Sequence, residues 1–148
     1  MELVKVRSKS MDIAGRLNSG TMAAIVGLDE KKVELICSSY KGKGLVGIAN
    51  YNSPKQIVIS GTKSAVFETI EKAKSSGARL AIELKVSGAF HSPLMEPARK
   101  ALIKEVESIK IKDPQYLFFN NVEVEHSYAG CCGTVSYTHL TLPTTTIV

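Results

Sequence analysis

The segment TMAAIVGL, residues 21–28, is a short apolar run with little polar alternation. Such a run, bounded by a turn, predicts a buried strand. Asp29 follows it and belongs to the residue types that cap helices. The next apolar side chains stand at helical spacing, at Val33, Ile36, Cys37 and Tyr40. This stretch therefore predicts a strand followed by a helix.

Two further apolar runs follow the glycine-rich segment KGKG at 41–44, which breaks the helix. LVGIANYN (45–52) and QIVISG (56–61) each predict a strand. Ser53, Pro54 and Lys55 lie between them and are compatible with a tight turn. The two runs therefore predict a β-hairpin.

A second helix and a last strand complete the pattern. The helix is indicated by apolar residues spaced by three and four, Ala65, Val66, Ile70 and Ala73, and Gly77 ends it. RLAIELKVS (79–87) alternates and predicts a half-buried strand whose apolar face carries Leu80, Ile82, Leu84 and Val86. The order β-α-β-β-α-β predicts an α+β fold with a ferredoxin-like unit over residues 21–87.

The segment before the first strand has the pattern of a helix already in progress. In residues 1–20 the helical spacing begins at once, at Leu3, Val4, Arg7 and Met11. We therefore expect Met1 to be an internal methionine of a longer protein.

The segment after the last strand predicts elements that need a larger partner surface. A third helix from Pro93 to Ile109 has one apolar face, formed by Leu94, Ala98, Leu102, Val106 and Ile109. YLFFNNVEV (116–124) predicts a buried strand without an evident sheet partner in this chain. We interpret 88–126 as a return to the subdomain that contains 1–20, and the chain as part of something larger.

The last residues differ in composition from the rest. Residues 134–148 contain no Asp, Glu, Lys or Arg. Within them, VSYTHLTLPT resembles one reading frame of a transposase adapter used in DNA library preparation. A natural threonine-rich tail is the alternative. We interpret 134–148 as a non-native tail and leave it out of the fold prediction.

Composition sets broad limits on the class of protein. The chain has 148 residues, 44% hydrophobic and 22% charged, with a formal net charge of +5. This suits one small domain, or a piece of a larger one, with a modest bias toward phosphate-bearing ligands. The spacing of Cys37, Cys131 and Cys132 suits neither a zinc site nor a disulfide framework. Without a signal peptide or an apolar run of membrane length, we expect a cytoplasmic protein with no metal site and no membrane contact.

Five segments carry a family resemblance by their order and spacing: VRSKSM (6–11), GTMAAIVGL (20–28), ANYNSPKQIVISG (49–61), VSGAFHSPLMEPA (86–98) and NNVEV (120–124). Together they resemble the malonyl-CoA:acyl carrier protein transacylases and the related acyltransferase domains of polyketide and fatty acid synthases. The resemblance covers nearly all of residues 3–124. It implies a ferredoxin-like subdomain within a larger α/β-hydrolase-like domain.

The resemblance also implies a reaction. Enzymes of this family move a malonyl group from malonyl-CoA to the thiol of an acyl carrier protein, through a serine ester, in fatty acid biosynthesis. It implies no cofactor and a monomeric parent enzyme. One alternative is a piece of a polyketide synthase acyltransferase domain.

An alternative from another class is a free-standing binding module, because RNA-recognition domains share the order β-α-β-β-α-β. The two central strands carry Tyr51 as their only aromatic residue, whereas base stacking needs several in a row. We therefore expect no nucleic-acid partner.

His91 lies between an apolar strand and a proline-opened helix. In the family that this chain resembles, the histidine of AFHSPLM is the general base that activates the serine. An unassisted serine hydroxyl is a weak nucleophile near neutral pH, so an imidazole must take and return its proton. Outside this motif, a histidine after a strand is typically a hydrogen-bonded loop residue.

Arg7 and Met11 lie one turn apart on the first predicted helix. The resemblance implies that Arg7 pairs with the free carboxylate of the malonyl group and that Met11 lines the same pocket. A planar guanidinium can bind a carboxylate through two parallel charge-assisted bonds, which lysine cannot reproduce. The family usually has glycine directly after this arginine, where this chain has Ser8. An exposed helical arginine is the alternative.

Phe90 and Asn52 complete the candidate site. A bulky ring next to His91 would narrow the space around C2 of the acyl group, and the resemblance associates AFH with malonyl selection; core packing is the alternative. Asn50 and Asn52 flank a strand end near Gln56. They either bind substrate or hold the turn, and Asn52 is the better ligand candidate.

The nucleophile of the family has no counterpart in these residues. The family carries it on a G-H-S-x-G segment upstream of the arginine helix, and no G-x-S-x-G occurs in this chain. We therefore expect a fragment with the base and the carboxylate clamp that is inactive alone.

Overall fold

A computed structural model of the chain describes residues 2–110 and the backbone of two short strands near the end. The elements are α1 (Glu2–Leu17), β1 (Gly20–Val26), α2 (Glu30–Ser38), β2 (Val46–Ser53), β3 (Gln56–Thr62), α3 (Lys63–Ser75), β4 (Leu80–Leu84), a 3₁₀ turn (Pro93–Met95), α4 (Glu96–Glu107), β5 (Phe118–Phe119) and β6 (His126–Ser127). From β1 to β4 the element order is the one that periodicity predicts.

Strands β1 to β4 form a sheet in the order β2-β3-β1-β4. Each neighbouring pair is antiparallel. The central strand β1 places Ile25 opposite Ile57 of β3 and Ala81 of β4. Residues directly opposite each other on paired strands point to the same side, so these three residues lie on one face of the sheet.

Helices α2 and α3 cover that face and form the main core with it. The buried residues of this core are Ala23, Ile25, Leu28, Val33, Ile36, Cys37, Ile57, Ile59, Val66, Ile70, Ala73 and Ala81. The helical positions predicted from their spacing are therefore buried, with Tyr40 at the margin. Burial raises the pKa of the Cys37 thiol to about 11, with a smaller contribution from Glu34. Cys37 is consequently a core residue and carries no thiolate chemistry near neutral pH.

The apolar face predicted for β4 is wrong. Leu80 and Ile82 are 46% and 47% exposed, whereas Ala81 is buried in the core. The reason is that the helices cover the face of β1 that carries Ile25, and pairing puts Ala81 opposite Ile25. The strand also ends before Val86.

Three predicted helix boundaries can be compared with the structure. Asp29 lies at the N-cap of α2, yet its side chain makes no capping hydrogen bond, and its carbonyl accepts from the Lys32 and Val33 amides instead. Gly77 has φ +93° and ends α3 as expected. The helix predicted from Pro93 to Ile109 begins as a 3₁₀ turn, which Pro93 opens. The α-helix that follows ends at Glu107, two residues before the predicted end.

Helices α1 and α4 form a second packing unit beside the sheet. Their contact contains Ala14, Met95 and Ala98, all buried. A Cβ on Gly15 would lie 2.6 Å from the carbonyl oxygen of Ser87, so only glycine allows α1 to approach the segment after β4 this closely.

The predicted strand at 116–124 is described only in part. Phe118–Phe119 pairs antiparallel with His126–Ser127, so this part has a strand partner in the chain, contrary to the sequence prediction. The remainder of 116–124 and the whole of 134–148 lie outside the described residues.

Candidate active site

The segment between β4 and the 3₁₀ turn carries Phe90 and His91. His91 has φ +58° and is the one non-glycine residue with a positive φ among the residues that the structure describes. A side chain in this left-handed region clashes with its own backbone, at a cost of about 1–2 kcal/mol. Contacts around the turn must therefore hold His91 in this conformation.

Ser92 makes two side-chain hydrogen bonds around this turn. Its hydroxyl donates to the carbonyl oxygen of Ala89 at 2.6 Å and accepts from the amide of Leu94 at 3.3 Å. Its own carbonyl accepts from the Met95 amide at 3.0 Å. The hydrogen bonds of Ser92 thus join the chain before His91 to the first turn of the following helix.

The electrostatic setting of His91 favours a neutral imidazole. Its side chain is half-buried, and loss of hydration lowers the pKa of His91 from its ordinary value, with a further lowering by the positive charge of Arg7. At pH 7 the imidazole is therefore largely neutral and able to accept a proton. Arg7, the source of the second contribution, lies on α1.

Met11 and Phe90 join the same region by packing. Both are half-buried and contact the buried cluster of Ala14, Met95 and Ala98. The packing therefore places Met11 of α1 and Phe90 on the same cluster, with Arg7 one helical turn before Met11 and His91 directly after Phe90. Asn18, directly after α1, joins this helix to the 3₁₀ turn, since its Nδ2 donates to the carbonyl oxygen of Leu94 at 2.8 Å.

Asn52 lies apart from this group in its recorded contacts. It is exposed at the end of the edge strand β2, and its Oδ1 accepts from Nδ2 of Asn50 at 2.6 Å. Ser53 and Gln56 pair across the adjoining turn. The hydrogen bond of Asn52 supports its own strand end, which is the turn-holding alternative left open by the sequence.

Two residues of the site were not singled out by the sequence. Ser92 has a recognisable signal, since a serine directly before a proline is a common helix-start pattern. Gly15 has no such sequence signal, because a glycine within an amphipathic helical pattern shows only that the helix tolerates a glycine there. Its role follows from the close approach of α1 to Ser87.

The lowered pKa of His91 predicts a pH dependence of stability. A group whose pKa is lower in the folded than in the unfolded chain binds fewer protons when folded, so the free energy of unfolding decreases as pH falls through about 6.5. We expect the melting temperature of the parent chain to fall more steeply between pH 7.5 and 5.5 than that of His91→Gln. Parallel curves for the two proteins would contradict the lowered pKa, because the other titrating groups contribute equally to both.

Comparison with known proteins places these residues in a family. Residues 2–142 match the family described as the acyl transferase domain. The chain belongs to this family. The acyltransferase resemblance inferred from the five sequence segments is thereby confirmed.

Two curated relatives of this acyltransferase chain carry the same name. The malonyl CoA-acyl carrier protein transacylase of Buchnera aphidicola is 41% identical over 124 residues, which are 84% of this chain and 40% of the relative. That of Bacillus subtilis is 41% identical over 123 residues, which are 82% of this chain and 39% of the relative. The chain thus spans about 40% of the length of these relatives.

Solved structures agree with the sequence comparison. The malonyl CoA-acyl carrier protein transacylase from Coxiella burnetii superimposes with a TM-score of 0.78 at 37% identity, over 86% of this chain and 40% of that one. A malonyl-transacylase solved in complex with its type II PKS acyl-carrier protein gives a TM-score of 0.77 at 36% identity, over 86% of this chain and 41% of that one. The mixed α/β architecture with a small antiparallel sheet is therefore similar to the matching part of these solved acyltransferases.

Neither a membrane-spanning helix nor a cluster of metal ligands occurs in the described part of the chain. Within residues 2–110 and the two short strands, no helix is long and apolar enough to cross a membrane. In the same residues, no three His, Cys, Asp or Glu side chains come together as metal ligands.

Proposed function

We propose that this chain is part of a malonyl-CoA:acyl carrier protein transacylase of fatty acid biosynthesis. The observation that carries the proposal is the packing of Met11 and Phe90 on one buried cluster, which brings the helix of Arg7 to the segment of His91. A neutral imidazole and a guanidinium in one region suit a serine ester formed from an acyl group that ends in a carboxylate. The names of the relatives support the same activity.

The reaction needs a serine that these 148 residues do not present in the family's G-x-S-x-G setting. His91 takes the proton of that serine as its oxygen attacks the thioester carbonyl of malonyl-CoA, and the proton leaves with the CoA thiol. The thiol of the carrier protein then gives its proton to His91 and attacks the ester. The proton returns to the serine, so His91 ends each cycle neutral.

The other candidate residues bind the acyl group in this proposal. Arg7 holds the malonyl carboxylate, and Met11 and Phe90 form the apolar wall beside it. Their half-burial and shared packing on one cluster support that arrangement. Asn52 is the weakest of the five candidates, because its recorded hydrogen bond is with Asn50.

The division of the chain into subdomains belongs to the same proposal. Residues 21–87 form a ferredoxin-like subdomain, while 1–20 and 88–126 belong to a larger α/β-hydrolase-like subdomain. The antiparallel order β2-β3-β1-β4, with α2 and α3 on one face, supports the first assignment. The packing of α1 against α4 supports the second.

The setting of the enzyme follows from the activity. We propose a cytoplasmic monomer that uses malonyl-CoA and an acyl carrier protein and needs no cofactor, since both acyl carriers are substrates. Family membership favours this function over the free-standing RNA-binding module. The relatives' names favour a stand-alone transacylase over a polyketide synthase domain.

The proposal predicts the fate of malonyl-CoA on the chain as it stands. Without the family's serine segment, mixing the two should leave the intact mass of the protein unchanged. The completed enzyme, meaning this chain extended to the length of its relatives with the G-H-S-x-G segment, should gain one malonyl group that hydroxylamine removes. Mass spectrometry reads both results, and the completed enzyme with its serine replaced by alanine is the control. A stable malonyl ester on the present chain would refute the proposal that the nucleophilic serine lies on a segment outside these 148 residues.

A further inference from the structure

The backbone of His91 is in a conformation that the residue does not prefer. Glycine adopts φ near +58° without penalty, but histidine carries a Cβ that crowds the neighbouring carbonyl. A left-handed residue of this kind persists only where the surrounding structure enforces it. The question is which contact enforces it here.

The hydroxyl of Ser92 spans the strained residue. Its shorter hydrogen bond, 2.6 Å, runs backward across His91 to the carbonyl oxygen of Ala89. Ala89 is 0% exposed, so water is not available to replace this donor. The longer bond, 3.3 Å, runs forward and accepts from the Leu94 amide.

The backbone of Ser92 is constrained from the other side. Ser92 is extended, with φ −123° and ψ 162°, as a residue before proline prefers to be. An extended Ser92 directly after a left-handed His91 makes the chain turn sharply between β4 and the helix. If His91 relaxed to an ordinary conformation, its carbonyl and the Ser92 side chain would be redirected, and the bond to Ala89 would be lost.

We propose that Ser92 is a positioning residue that holds His91 in the left-handed conformation, and thereby fixes the direction of the imidazole. The proposal deepens the proposed function, since a general base is useful only when it is aimed at its nucleophile. Ser92 touches no reacting atom in this arrangement. It acts through the backbone of His91.

A thermodynamic cycle separates this role from simple capping of the 3₁₀ turn. Ser92→Ala is measured in three backgrounds: the parent, His91→Ala and His91→Gly. Alanine retains the left-handed penalty and glycine removes it, so the two backgrounds are matched except for the strain. We expect the melting temperature to fall by several degrees in His91→Gly and by clearly less in the first two backgrounds, because there the release of the left-handed strain offsets part of the lost hydrogen bonds.

The outcomes of the cycle decide the proposal. Equal losses in the alanine and glycine backgrounds would show that Ser92 only caps the following turn, and would overturn it. If Ser92→Ala fails to fold, the double variant with His91→Gly should fold, because the strain is gone. Failure of that double variant as well would also overturn the proposal.

A second measurement reports on the imidazole itself. The pKa of His91, followed by NMR in the chain as it stands and assigned with His91→Gln, should rise toward its ordinary value in Ser92→Ala, because the ring becomes more hydrated and moves away from the charge of Arg7. Ser92→Thr keeps a hydroxyl and should keep the low pKa. An unchanged pKa in a folded Ser92→Ala would contradict the proposal. None of these measurements needs acyl transfer, so their failure is distinct from a failure of the proposed function.

Discussion

His91→Ala in the completed enzyme is expected to lower the rate of serine acylation by malonyl-CoA about 10²- to 10⁴-fold, the usual contribution of a positioned general base. The imidazole is kept neutral by burial and by the charge of Arg7, so it is ready to accept the serine proton near pH 7. Without it, the hydroxyl must lose its proton to water. Rapid-quench measurement of the malonyl ester gives the acylation rate directly.

The loss of acylation rate reports on catalysis only if the His91→Ala variant keeps its fold. Lys85→Ala is a matched control, because Lys85 is exposed on the same segment after β4. It should acylate at the parent rate. Added imidazole should restore part of the activity of His91→Ala by entering the space of the missing ring. A variant that retains most of its acylation rate without imidazole would make His91 an ordinary loop residue.

Arg7→Ala in the completed enzyme is expected to reduce kcat/KM for malonyl-CoA by about 30-fold or more, because stranding a charge whose hydrogen-bonded partner is removed costs about 2–5 kcal/mol. Acetyl-CoA has no carboxylate, so its transfer should change far less. The measured quantity is the ratio of kcat/KM for malonyl-CoA to that for acetyl-CoA. Removing Arg7 also raises the pKa of His91, but that change affects both substrates and cancels in the ratio.

Two further variants refine the interpretation of Arg7. Arg7→Lys should fall between the parent and Arg7→Ala, since it keeps the charge but not the planar fork. Lys9→Ala removes a different, exposed cation of α1 and should leave the ratio unchanged. If Arg7→Ala also left the ratio unchanged, Arg7 would only pack its helix, and the carboxylate would be bound elsewhere.

The elements with strong periodicity were predictable, and the reason is local. In α2 and α3 the apolar residues recur at helical spacing, and one face of each helix is buried accordingly. In β4 the same reasoning failed. Its larger apolar residues, Leu80 and Ile82, alternate as a core face would, but the helices lie on the side of Ala81. Alternation shows that a strand has two different faces, and packing decides which of them is covered.

In the candidate site, too, the sequence indicated the residues, and the tertiary structure decided their arrangement. The family resemblance of the segments around them singled out His91 as a candidate base and Arg7 as a candidate carboxylate ligand. Their proximity depends on α1 packing against the segment after β4, a contact that requires Gly15 to lack a side chain. The left-handed turn at His91 and the hydroxyl of Ser92 that spans it also appear only in three dimensions. Composition and spacing act over a few residues, whereas the position of a base relative to a distant cation is set by long-range contacts between elements, and only the tertiary structure supplies those.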